Sequence, residues 1–155
     1  MNDTSKHLVL VVDDEPYVRE STAVLLATVG YDVITADNGF DALLQMKRAT
    51  PDVIISDLNM PNMSGFEFLS VVCRRFPETS VVAVSGAYAS GDCVPGGVIA
   101  DAFHAKGHDH PEHLLSIVAE LIQTTAAREV AHQRKSAPVW IPRNGKIPRE
   151  CLSSF

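Results

Sequence analysis

Short, wholly apolar runs recur along this chain, and each ends on a polar side chain. Leu8-Val9-Leu10-Val11-Val12 runs into Asp13 and Asp14, Val53-Ile54-Ile55-Ser56 into Asp57, and Val81-Val82-Ala83-Val84 into Ser85. Unbroken β-branched runs of this length are the pattern of strands buried on both faces, the condition of a parallel sheet covered by helices. In an open α/β sheet the carboxyl ends of neighbouring strands meet at one crevice, where ligands bind. If the first and third runs are neighbours, Asp13, Asp14 and Asp57 converge there. Three carboxylates at close range repel one another unless a hard divalent cation neutralises them, and an all-oxygen donor set suits Mg²⁺. The pattern points to metal-assisted phosphoryl chemistry.

Between the runs lie helical patterns. Pro16, a favoured first-turn residue, opens a helix carrying Val18, Ala23, Val24, Leu25, Leu26 and Val29, and Gly30 fits its stop. Val33-Ile34-Thr35-Ala36 reads as a second strand, and Asn38 as the cap of a helix with Ala42, Leu43 and Met46 on one face. Pro51 breaks the chain before the third strand. A loop from Leu58 to Gly65 follows, and Ser64 and Glu67 have capping-box spacing ahead of Phe66, Phe68, Leu69, Val71 and Val72. Ala102-Phe103-His104 is a short fifth strand leading to Lys106. The last helix starts near Pro111 and runs through Leu114, Leu115, Val118, Leu121 and Ile122 toward Arg134. Strands alternating with helices predict an α/β fold, a parallel sheet with helices on both faces. The exception is Gly86–Gly97, whose four glycines and one proline predict a short, distorted fourth helix.

Bulk properties narrow the class. At 155 residues, 46% hydrophobic and 21% charged, the chain suits one ordinary domain with a real core. Its longest strongly apolar run, Leu8–Val12, is far too short for a membrane span and no signal peptide precedes it, so a cytoplasmic location is expected. Cys73, Cys93 and Cys151 are odd in number and widely spaced, which supports neither a disulfide framework nor a zinc motif. Residues 1–125 hold 7 Lys+Arg against 17 Asp+Glu, whereas residues 126–155 hold 6 against 2. An acidic body argues against DNA binding by this chain, since phosphate contacts need a basic face.

Taken in order, Val12-Asp13-Asp14-Glu15-Pro16, Asp57-Leu58-Asn59-Met60-Pro61 with Gly65, Val84-Ser85-Gly86 and Ala102-Phe103-His104-Ala105-Lys106 resemble the receiver domain of two-component response regulators. The resemblance covers about residues 6–124 and implies the flavodoxin-like (βα)5 doubly wound sheet, strand order 2-1-3-4-5. It implies a phosphoacceptor at Asp57, charged by a sensor histidine kinase or phosphotransfer protein, with output through contact with a downstream protein and a homodimer as one possible form. It also implies Mg²⁺ held by Asp14 directly, Asp13 mainly through water, Asp57, and the backbone carbonyl of Asn59. Lys106 and Ser85 would take phosphoryl oxygens, and Phe103 would swing inward behind Ser85. Residues 1–124 would be the receiver, and 125–155 a helix continuation and C-terminal extension with no independent output domain.

Each motif has a plainer reading. Asp13-Asp14 before Glu15-Pro16 could be a helix-start acidic cluster, Asp57 a loop residue, Ser85-Gly86 and Lys106-Gly107 ordinary turns, and Phe103 simple core. A degenerate receiver acting as a phosphorylation-independent adaptor is the alternative function. A phosphohydrolase of the haloacid-dehalogenase type is disfavoured, because Asn59 stands where that chemistry needs a general acid. Gly107 replaces the proline usual after the family's lysine, which predicts a trans bond and a positive-φ turn. Ala87 offers no polar group to position attacking water. His104, His108, His110 and His113 crowd into ten residues with Asp109 among them. Their spacing matches no closed metal motif, and surface or capping roles are expected. Asn144-Gly145 between apolar-polar alternations reads as a hairpin signal weakened by Pro142 and Pro148, in a tail that docks or hangs free.

Overall fold

The computed structural model describes residues 6–86, 100–107 and 109–132, with side chains to residue 125. The order is β1 (Leu8–Val12), α1 (Pro16–Thr28), β2 (Asp32–Ala36), α2 (Gly39–Arg48), β3 (Val53–Asp57), α3 (Gly65–Arg75), β4 (Ser80–Ser85), β5 (Ala102–Ala105) and α4 (Pro111–His132). All strand pairs are parallel, in the order β2-β1-β3-β4-β5. The expected fold and strand order are therefore observed. The expected distorted helix after β4, with Ala87, and the hairpin signal at Asn144-Gly145 lie outside the described residues.

Alternation along the strands divides the core into two layers. Leu10, Val12, Ile54, Val81 and Ala83 face α2 and α3, meeting Ala42, Met46, Phe68, Leu69 and Val72. Val9, Val11, Val53, Ile55, Val82 and Val84 face the other way, against Leu26 of α1 and Leu114, Val118, Leu121 and Ile122 of α4. Because both faces are covered, successive residues of the central strands are buried, in β1 from Val9 on, which is why those runs are apolar without alternation. Burying one such side chain contributes about 1.5–3 kcal/mol relative to leaving it in water.

The helix starts follow their local chemistry. The Asn38 side-chain oxygen accepts the Asp41 amide at 2.9 Å, and the Ser64 hydroxyl accepts the Glu67 amide at 3.3 Å. Gly30 takes φ +102° just beyond α1, as a C-terminal glycine does. One helix differs from its expected face. Of the apolar residues assigned to α1, Leu26 alone is fully buried, while Val24 and Val29 are 65% and 54% exposed. Apolar residues on nearly every side of this helix hide its inward face from sequence periodicity.

Gly65 ties α3 to the end of β3. Its amide donates to the Leu58 carbonyl at 3.2 Å, and an added Cβ would lie 2.3 Å from the Asp57 carbonyl oxygen and 2.6 Å from Leu58 Cα. Both obstacles are backbone and cannot rotate away. At Gly39, by contrast, the nearest atom to an added Cβ is the Met63 sulfur at 2.7 Å, the far part of a flexible side chain. Gly65→Ala is therefore expected to lower stability by about 3 kcal/mol, and Gly39→Ala by about 1 kcal/mol or less. Urea midpoints of the two variants check this, and equal losses would refute the backbone-contact account.

Candidate functional site

Register brings the acidic residues together. Val12 of β1 pairs with Ser56 of β3, so the next residues, Asp13 and Asp57, leave adjacent strands side by side. Asp13 is 4% exposed and Asp57 5% exposed, whereas Asp14 lies open to solvent. One carboxylate oxygen from each of the three falls within 4.8 Å of the others. Lys106, directly after β5, reaches across: its Nζ lies 2.9 Å from Asp13 Oδ2, 3.2 Å from Asp57 Oδ2 and 3.6 Å from Glu15 Oε1. A cleft of about 510 Å³ opens beside these residues and runs between α1 and α4 past Val18, Leu25 and Leu114.

Electrostatics at the crevice is a balance of burial and pairing. Burial raises the Asp57 carboxyl above its ordinary range, and Asp13 adds to the rise. The Asn59 amide, donating to Oδ1 at 3.1 Å, and the Lys106 ammonium pull it back only in part. Burial alone would weaken the Lys106 ammonium, yet the hydrogen bond and charge of Asp13, then the charge of Asp57, outweigh it and hold this lysine well above its ordinary range. Lys106 is thus a fixed cation at any physiological pH. It offsets one of three clustered negative charges, and the remainder is an all-oxygen donor set that fits a small hard dication such as Mg²⁺.

Of the other expected site residues, Ser85 ends β4 beside Lys106, and Phe103 lies two residues deeper along β5 than the Ser85–Ala105 pair. Ser85 is fully buried at the end of β4, and its carbonyl accepts the Lys106 amide at 2.9 Å. Phe103 is half-buried and packs against the α2–α3 layer. Gly107 takes φ +80°, and no cis peptide bond occurs among the described residues, so the glycine supplies the turn that carries Lys106. Two contacts were not foreseen. Arg19 Nη1 donates to the Asp13 carbonyl oxygen at 2.7 Å, tying α1 to the crevice, and Glu15 joins the Lys106 cluster. Nothing in the sequence marks Arg19, whose role depends on the angle at which α1 leaves β1.

The histidine cluster divides. His110 Nδ1 accepts the Glu112 amide at 3.3 Å, a capping role at the entrance to α4, as expected. His104 and His113 instead face one another with Asp109 beside them. His108 lies outside the described residues. Burial holds the His104 imidazole below its ordinary range, partly countered by Asp109. Burial also pushes the Cys73 thiol up to about 11, so it behaves as a core thiol.

The chain is similar to known proteins in sequence and in fold. Residues 9–104 match the family model of the response regulator receiver domain, and the chain belongs to that family. The transcriptional regulatory protein KdpE of Mycobacterium tuberculosis is 36% identical over 79% of this chain, which spans 54% of KdpE, about half its length. Protein PilG of Pseudomonas aeruginosa is 31% identical over 79% of this chain and is covered over 93% of its own length. Among solved structures, TrrA of Thermotoga maritima, determined in complex with Mg²⁺–BeF, is 28% identical, with a TM-score of 0.64 over 74% of this chain and 98% of TrrA. Receiver domains are signalling modules of two-component systems, and no described helix is long and apolar enough to cross a membrane.

Two stability effects follow from the crevice. Because the folded protein holds the Asp57 proton more tightly than the unfolded chain, the metal-free protein loses stability as pH rises through the folded pKa of Asp57 and regains it as pH falls. Asp57→Asn removes that desolvated charge and is expected to stabilise the metal-free protein near neutral pH by about 1 kcal/mol, or about 3 °C in Tm. The gain should shrink on acidification. Lys106→Met leaves Asp13 and Asp57 facing each other without their cation and is expected to cost about 3 kcal/mol. Thermal melts in chelator at several pH values check both signs.

Proposed function

We propose that this chain is a phosphoacceptor receiver in which Asp57 takes a phosphoryl group from the phosphohistidine of a sensor histidine kinase or phosphotransfer protein. The observation that carries the reading is the placement of a buried Asp57 carboxylate between Asp13, Asp14 and Lys106. A carboxylate oxygen of Asp57 attacks phosphorus, the bond from phosphorus to the donor nitrogen breaks, and the donor keeps that electron pair. Asp13, Asp14 and Asp57, with the Asn59 carbonyl, would hold Mg²⁺, which supplies screening of the carboxylate from the incoming phosphoryl oxygens.

The residues of the chain carry the rest. The Asn59 amide orients Asp57 by its hydrogen bond to Oδ1, leaving Oδ2 toward the open side with Lys106. Lys106, a compact point charge, shifts from Asp57 Oδ2 to a phosphoryl oxygen once the carboxylate is modified. Ser85 offers its hydroxyl to a second oxygen, and Phe103 follows it inward, so that local charge chemistry biases packing at the β4–β5 edge. Output is by contact with a downstream protein, in the cytoplasm. The same site residues speak against the adaptor reading, since a phosphorylation-independent module has no use for the full set.

Incubation with acetyl phosphate and Mg²⁺, read by intact-mass spectrometry, tests the proposal. A single phosphoryl adduct is expected, labile to hydroxylamine, absent in chelator and absent in Asp57→Asn. An adduct that persists in Asp57→Asn, or none at all on folded protein with Mg²⁺ present, overturns it.

A further inference from the structure

A second constellation of ligating side chains lies outside the acidic crevice. His104 is the third residue of β5 and buried, Asp109 sits in the turn that follows, and His113 is the third residue of α4. The Nδ1 atoms of His104 and His113 are 3.3 Å apart. Asp109 Oδ2 lies 3.4 Å from His113 Nδ1 and 3.9 Å from His104 Nδ1. We propose that His104, Asp109 and His113 form a binding site for a divalent transition metal of the zinc class.

The distances themselves argue for it. A tetrahedral ion with ligands at about 2.0–2.1 Å has neighbouring donors about 3.3–3.4 Å apart. Two edges of the His104–Asp109–His113 triangle have that length, and the third is within reach of a small side-chain rotation. In the absence of an ion, one imidazole can donate to the other across the 3.3 Å between their Nδ1 atoms, the rings lying 27° from parallel with centroids 5.5 Å apart, while the distances to Asp109 Oδ2, 3.4 and 3.9 Å, are long for hydrogen bonds. A dication would take the place of that bridging proton and draw the carboxylate in.

The carboxylate is positioned before any ion arrives. The Ala105 amide donates to Asp109 Oδ2 at 3.0 Å, and the Asp109 amide donates back to the Ala105 carbonyl at 3.0 Å. This reciprocal pair closes the turn and aims the carboxylate, the outer-shell support that metal ligands ordinarily have. His104 and Asp109 line the cleft between α1 and α4, which gives an ion a way in and leaves a fourth position for water or another ligand. Two imidazoles and one carboxylate favour Zn²⁺, Co²⁺, Ni²⁺ or Cu²⁺ over Mg²⁺, so the two sites select different cations. Lys106 and Gly107 lie within the closed turn. An ion bound here would fasten the segment that carries the lysine of the acidic crevice.

Titration of the full chain with Co²⁺ in excess Mg²⁺ tests the assignment, with the acidic crevice thereby occupied. One equivalent is expected to give the intense visible bands of a tetrahedral ion and to be displaced by Zn²⁺. His113→Ala, which changes a half-exposed side chain, should weaken binding at least a hundredfold, while Asp57→Asn should leave it unchanged. In parallel, Zn²⁺ should shift the imidazole NMR signals of His104 and His113 in the unaltered protein, a readout that does not require the variant to fold. Absence of Co²⁺ binding, binding that survives His113→Ala or disappears in Asp57→Asn, or Zn²⁺ shifts confined to other histidines would overturn the proposal.

Discussion

Placing two buried carboxylates side by side where β1 and β3 end is the constraint around which this fold is arranged. Parallel pairing of β1 with β3 makes Asp13 and Asp57 neighbours, and burial denies them the water that would screen their repulsion. The compensation comes from far along the chain, from Lys106 beyond β5. That lysine reaches the crevice because β4 lies between β3 and β5 and the three strands end together, with the Ser85 carbonyl receiving the Lys106 amide. The order of the strands is therefore also the order of charges around the rim.

The two helical layers serve this rim differently. The α2–α3 layer is dense, and Gly65 presses α3 directly onto the end of β3. The α1–α4 layer leaves a cleft that reaches from the acidic residues to His104 and Asp109. One side holds the Asp57 main chain against α3, and the other leaves the acidic residues open to a cleft.

Much of this was legible in the chain itself. Runs such as Leu8–Val12 and Val53–Ile55 have no periodicity to misread, because both their faces are buried, and Asn38 and Ser64 announce their helices through capping chemistry. The acidic residues were identifiable because each stands where a run ends. What escaped depends on angles and turns. The inward face of α1 is obscured by Val24 and Val29, Arg19 finds Asp13 only through the direction in which that helix departs, and His104, Asp109 and His113 meet only because the chain folds back between Ala105 and Asp109. No residue spacing encodes such a fold-back.

The contact at Gly65 has a mechanical consequence. With backbone against backbone and no side chain between them, there is no compressible layer to absorb a displacement. A shift of the main chain at Asp57 must therefore be passed to the first turn of α3 rather than dissipated. Were Asp57 to take a phosphoryl group as proposed, α3 would act as a lever whose fulcrum touches that residue, with its far end a full helix length away.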